Sequence, residues 1–97
     1  MSLNQLIASA VSTGKCKIGA KSSIDALREG EAKLIVVAAN CPRDERDDIE
    51  RYAQLGGTKI QIFEGTSWDL GEAVGKPFMI SAIAVIKPGD SKILKQV

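Results

Sequence analysis

The chain has 97 residues, 44% hydrophobic and 26% charged, which is enough for one domain with its own core and argues against wholesale disorder. Thirteen basic side chains nearly cancel twelve acidic ones, leaving +1, so any nucleic-acid contact must come from a local patch rather than a basic tail. There is no His, which removes Ser-His-Asp triads, Cys-His pairs and His-based metal sites, and two cysteines cannot make a four-ligand thiolate site.

Leu3, Leu6, Ile7, Ala10 and Val11 recur at helical spacing, and Gly14 stands where a helix would end. Ala8-Ser9-Ala10 has the form of a signal-peptidase site, but no basic region precedes it and the apolar run is short. No stretch reaches membrane-spanning length, so a cytosolic protein without a membrane partner is expected. Lys15 to Ile18 alternates polar and apolar, as a one-sided edge strand does, with lysines that discourage edge-to-edge pairing. Cys16, within it, and Cys41 read as small buried hydrophobes in a reducing compartment, a single disulfide being open but unforced.

A second helix is expected from about Ser22 to Glu29, burying Ile24 and Leu27 and stopped by Gly30. Leu34 to Ala38 is apolar on both faces, the pattern of a strand covered on both sides. After the turn at Asn40-Cys41-Pro42, Pro42 suits the first position of a third helix. That helix opens with Asp44, Glu45, Asp47, Asp48 and Glu50, which invite a metal or acid–base reading. Arg43, Arg46 and Arg51 interleave with them, however, and Arg43–Asp47, Arg46–Glu50 and Asp47–Arg51 are pairs four residues apart. A solvated, salt-laced face is the better reading, with Ile49, Tyr52, Ala53 and Leu55 as the buried stripe.

Lys59 to Phe63 alternates as a strand. Thr66 and Asp69 form a capping box for a short helix carrying Leu70, Ala73 and Val74 and ending at Gly75. Ser81 to Lys87 is a last strand apolar on both faces, followed by a turn at Pro88-Gly89-Asp90 and a short polar tail. The order is helix and strand in strict alternation, which predicts a mainly parallel sheet between helices, with ligands at the loops leaving the strands.

Three loops carry candidate binding chemistry. Gly19 to Ser23, between strand and helix, combines Gly19, Lys21 and the hydroxyls of Ser22 and Ser23. Free backbone N–H groups and the positive end of a helix dipole there suit a phosphate. Taken alone, a plainer reading outweighs it: Ser22 caps the helix and Asp25, three residues on, completes a box. The second loop supplies Asn40, Pro42 and Arg43, an amide that both donates and accepts beside a cation. The third, Gly75 to Ile80, places Lys76 before Pro77 and sets Phe78, Met79 and Ile80 in a connection. Phe78 is an even choice between core residue and platform for an unpaired base, flanked by Met79 and Ile80. Neither GxGxxG nor GxxxxGK[ST] occurs, so a distorted RNA fits the set better than a nucleotide cofactor.

Several runs together resemble the L30e family of large-subunit ribosomal proteins, in register from about Leu3 to Leu94. They are Gly19-Ala20-Lys21-Ser22, Lys33 to Asn40, Asp48 to Ala53, Glu64-Gly65-Thr66-Ser67 with Leu70-Gly71, Gly75-Lys76-Pro77-Phe78, and Pro88-Gly89-Asp90-Ser91. The resemblance implies an α/β protein, a three-layer α/β/α sandwich with a four-stranded mixed sheet, acting as one RNA-binding domain over residues 1–97. It implies a non-enzymatic ribosomal component, of archaeal type by its compact length, that binds ribosomal RNA at a kink-turn with sheared G·A pairs. By position, Gly19 and Lys21 match the turn that meets the kinked backbone and Asn40 the contact to a guanine of the sheared pairs. Phe78, Met79 and Ile80 match the loop on the unstacked nucleotides. Beside these, Ser22 is expected to donate a hydrogen bond, cap its helix or do both, and Lys76 and Arg43 to be peripheral phosphate contacts at most. Expected partners are ribosomal RNA and large-subunit proteins, with no cofactor, metal, membrane or small-molecule substrate and a monomer when free. Two alternatives remain: the core protein of a guide-RNA particle, and a small α/β phosphate-binding enzyme or receiver module. A receiver would want carboxylates at its strand ends, where Gly19 and Asn40 stand.

Overall fold

The computed structural model describes residues 3–96. In chain order these form α1 (Leu3–Thr13), β1 (Lys15–Ile18), α2 (Ala20–Arg28), β2 (Leu34–Ala38), α3 (Arg43–Gly56), β3 (Lys59–Phe63), α4 (Ser67–Ala73), β4 (Ala82–Lys87) and α5 (Ile93–Gln96). The strands make one sheet in the order β1-β4-β2-β3.

Strand side chains alternate between faces, and the two inner strands are apolar at nearly every position, so each face needs a helical cover. Leu34, Val36, Ile83 and Val85 pack on one side with Leu6, Ile7 and Ala10 of α1, Leu70 of α4 and Ile93 of α5. Ile35, Val37, Ala82, Ala84 and Ile86 pack on the other with Ala26 and Leu27 of α2 and Ile49 and Ala53 of α3. The result is the expected three-layer sandwich with a mixed sheet. β1 lies at an edge, as its alternation with lysines predicted.

The mainly parallel sheet suggested by alternation alone is corrected. Only β2 and β3 run parallel, while β4 enters between β1 and β2 and is antiparallel to both. Three smaller expectations also change. Leu55 is 78% exposed, because it lies in the last turn of α3, off the buried stripe of Ile49 and Ala53. Arg51 pairs with Asp48 at 3.0 Å rather than with Asp47, while Arg43–Asp47 and Arg46–Glu50 stand at 4.0 and 3.2 Å. The polar tail turns into α5, because Ser91 Oγ donates to Leu6 O and accepts from Ile93 N, which seats Ile93 in the core.

The antiparallel entry of β4 places the site. It gathers the loops leaving β1, β2 and β3, and the loop entering β4, at one end of the sheet. Hydrogen bonds join them there: Gly19 N donates to Ala82 O (2.8 Å), Ala38 N to Ser81 O (2.9 Å) and Ala39 N to Gly65 O (3.0 Å). Among the described residues no helix is long and apolar enough to cross a membrane.

Candidate nucleic-acid interface

Gly19 is the hinge between β1 and α2. Its φ of +106° and ψ of 155° fall in a region essentially closed to residues with a Cβ, so the turn requires glycine. A Cβ there would nevertheless meet nothing within 4 Å, so the surface above it is open to an approaching group. Because the backbone turns so sharply, α2 begins at Ala20, two residues before the expected start. Ser22 therefore does not cap the helix and no Ser22–Asp25 box forms. Gly19 is the N-cap, without a side-chain cap bond, and Ser22 sits in the first turn.

The next hydroxyl turns inward. Ser23 is buried and its Oγ donates back to Gly19 O (2.8 Å), while its N–H reaches the same carbonyl (2.9 Å). The N–H groups of Ala20, Lys21 and Ser22 find no acceptor among the described residues. They remain as the unpaired donors of a helix start, with the dipole's positive end behind them and the exposed Lys21 beside them.

Asn40 follows β2 at the same end. Its Oδ1 accepts from Ser67 N at 2.6 Å, across 27 residues of chain. A backbone N–H can only donate, so this bond fixes which way the amide faces and turns Nδ2 into a pure, oriented donor. The contact also serves α4, since Ser67 is its first residue and would otherwise carry an orphan N–H. Thr66 and Asp69 supply the rest of the cap: Thr66 Oγ1 accepts from Asp69 N (3.2 Å) and Asp69 Oδ2 from Thr66 N (3.0 Å). Sequence reasoning missed Ser67, whose N–H holds Asn40. The capping box marked where α4 starts, but no local signal tied that start to Asn40.

The loop into β4 leaves α4 at Gly75, φ +76°, with Lys76 N bonded to Gly71 O (2.9 Å). It then runs back along α4. Ile80 N donates to Ser67 O (2.9 Å), and a Cβ on Gly71 would collide with Phe78 O, so glycine is what admits the close approach. The three apolar residues divide here. Ile80 is 1% exposed and joins the core, whereas Phe78 is 50% and Met79 63% exposed. The apolar shelf open to a ligand thus consists of Phe78 and Met79, with Ile80 as the anchor beneath. Lys76 is exposed beside them, and Arg43, at the start of α3, is exposed apart from its long contact with Asp47.

Burial pushes the Cys16 thiol up to about 11. The Cys41 thiol is raised by burial, then by Glu45, with Arg46 opposing and Asp44 adding. Neither is poised as a thiolate nucleophile. Among the described residues no cluster of three or more His, Cys, Asp or Glu is placed to hold a metal. What stands at the strand ends is a set of unpaired backbone donors, an oriented amide, two exposed lysines and the exposed Phe78 and Met79.

An α/β/α sandwich with such a surface at its strand ends is one class of fold, and comparison narrows it. A model of the "Ribosomal protein L7Ae/L30e/S12e/Gadd45 family" matches residues 1–95. The chain belongs to this family. It is 45% identical over 93 residues to large ribosomal subunit protein eL30 of Candida glabrata, covering 96% of this chain and 89% of that one. It is 44% identical to the eL30 of Methanococcus maripaludis (97% and 94% covered) and 43% to that of Methanothermobacter thermautotrophicus (100% and 99%). Among solved structures, a Bacillus halodurans protein of unknown function shares the fold, with a TM-score of 0.74 at 17% identity over 95% of this chain and 89% of that one.

Proposed function

We propose that this chain is a structural, non-enzymatic protein of the large ribosomal subunit that binds ribosomal RNA at a kink-turn. On this reading it acts in the cytoplasm, as one RNA-binding domain and as a monomer before assembly, beside other large-subunit proteins. It needs no cofactor and takes no small-molecule substrate. The names of its eL30 relatives support the ribosomal address. The observation that carries the RNA reading is the uncapped start of α2, with Gly19 open above it, at the same strand ends as Asn40 and Phe78.

In this mechanism a sharply bent backbone brings a phosphate against the free N–H groups of Ala20, Lys21 and Ser22. Gly19 permits the close approach, Lys21 neutralises charge and the Ser22 hydroxyl donates a further hydrogen bond. Asn40, its oxygen already held by Ser67, presents Nδ2 to the acceptor edge of a purine in the sheared pairs. Phe78 and Met79 cover the nucleotides that the bend unstacks, positioned by Ile80 in the core, and Lys76 meets a peripheral phosphate.

The test separates base contact from folding. Phe78→Ala is expected to weaken binding to a kink-turn RNA by about 1–3 kcal/mol. Its thermal midpoint should stay close to wild type, because the ring is half-exposed. Unchanged RNA affinity in this variant would remove the stacking role.

A further inference from the structure

We infer that the opposite end of the sheet is a second phosphate-contact surface, where four lysines hold the sugar-phosphate backbone of a separate RNA segment. Lys15 opens β1, Lys33 immediately precedes β2, Lys59 opens β3 and Lys87 closes β4. With β4 antiparallel to its neighbours, all four fall at the same end. Lys15 is the Cα partner of Lys87 across a register shift, Leu34 pairs with Lys59, and Lys33 N bonds Val85 O at 2.8 Å. Across the sheet the order is Lys15, Lys87, Lys33, Lys59, one lysine for each strand. At the usual strand spacing the row is about 15 Å wide.

All four are exposed and none has an ion pair; the pairs among the described residues lie within α3. Glu31 and Asp90 lie close in sequence to Lys33 and Lys87, yet neither bonds a lysine of the row. Lys15 and Lys87 are Cα partners beside a register shift, so two like charges stand close together at this end. Edge protection accounts for Lys15 and Lys59 on the outer strands, but not for Lys33 and Lys87 on the inner ones. An anion spanning the row accounts for all four. Lysine is depleted from the centres of protein interfaces and is a standard partner of phosphate backbone, so a nucleic acid fits better than an acidic protein. From Lys33 to Asn40 the chain runs the length of β2, roughly 20 Å at strand rise, so the two ends meet different stretches of RNA. The protein would then join two RNA segments through its sheet. This surface does not depend on the kink-turn reading.

The experiment compares the full chain with a variant carrying Lys15→Gln, Lys33→Gln, Lys59→Gln and Lys87→Gln, and with the corresponding Lys→Arg variant. Each is titrated against a plain RNA duplex and a short kink-turn RNA over a range of salt. The glutamine variant should lose duplex affinity and flatten its salt slope by about two to four units, as expected when that many phosphate contacts go. It should keep kink-turn affinity within about twofold, which also shows that it is folded. The arginine variant should bind the duplex like wild type. An unchanged duplex slope in the glutamine variant overturns the proposal, as does stronger competition by polyglutamate than by unlabelled duplex at equal salt. Failure of wild type to prefer the kink-turn, with the duplex effect intact, would sink the proposed function and leave this surface standing.

Discussion

Three helices start at the same end of this sheet, and two of them, α2 and α4, are finished in opposite ways. The N-terminus of α4 is closed by its own chain: Thr66 and Asp69 exchange bonds in a capping box and Asn40 takes the N–H of Ser67. The N-terminus of α2 has no side-chain cap, and a glycine in a conformation open almost only to glycine leads into it. Both carry the same dipole and the same orphan donors. On the proposed reading, this difference decides where a phosphate goes. At α4 the N–H groups of Ser67 and Asp69 are taken up within the fold and Asp69 already stands at the positive end, whereas at α2 the first three are left over beside a lysine. On the same reading the closed start also serves the open one, because the bond that satisfies Ser67 fixes which way the Asn40 amide faces.

The comparison can be broken at several points. Gly19→Ala forces a side chain into a backbone region it rarely enters and should cost about 1–3 kcal/mol of stability in denaturant titration. RNA affinity should fall further than the stability loss explains, since the methyl stands in the open approach to α2. The two starts should respond oppositely to losing a hydroxyl. Thr66→Ala removes a true cap and is expected to cost about 1 kcal/mol of stability with little change in RNA binding. Ser22→Ala, which caps nothing, should leave stability within about 0.5 kcal/mol and weaken RNA binding slightly. Equal stability losses in these two variants would dissolve the distinction.

The smallest effect concerns Cys16, in the strand that feeds the open start. Burial raises its thiol from 9.0 to about 11, so the unfolded chain gives up this proton first. Stability from this group is full below pH 9 and is lost as pH rises toward 11. Cys16→Ala should therefore shallow the alkaline decline seen by thermal melts between those values.

How far the sequence could be read follows from what is local and what is not. The capping box at Thr66 and Asp69 is a short-range pattern and forms as read. The double-sided apolar run of Leu34 to Ala38 forms a strand buried at every position, and the lysine-studded Lys15 to Ile18 lies at an edge. Strand direction is not local. Nothing within Ser81 to Lys87 says that this strand inserts between the first and second, and alternation alone pointed to the wrong mixture of pairings. Ser22 is not the cap because the backbone of Gly19 sets the turn, and a glycine in sequence does not announce its φ. Phe78, Met79 and Ile80 looked equivalent in sequence, but the bond from Ile80 N to Ser67 O turns Ile80 inward and leaves the other two outside. Gathering the three loops required the antiparallel entry of β4, which only tertiary structure supplies.

The central claim is that the open start of α2 is a phosphate site within a shape-specific RNA interface. The most direct measurement is a salt-dependent titration of wild type and Lys21→Ala against a kink-turn RNA with sheared G·A pairs and a plain duplex of equal length. The account predicts much tighter binding of wild type to the kink-turn. With Lys21→Ala the kink-turn should bind more weakly and its salt slope flatten by about one unit, while duplex binding is unaffected. Equal, weak binding of wild type to both RNAs, with Lys21→Ala indistinguishable from it, would contradict the account.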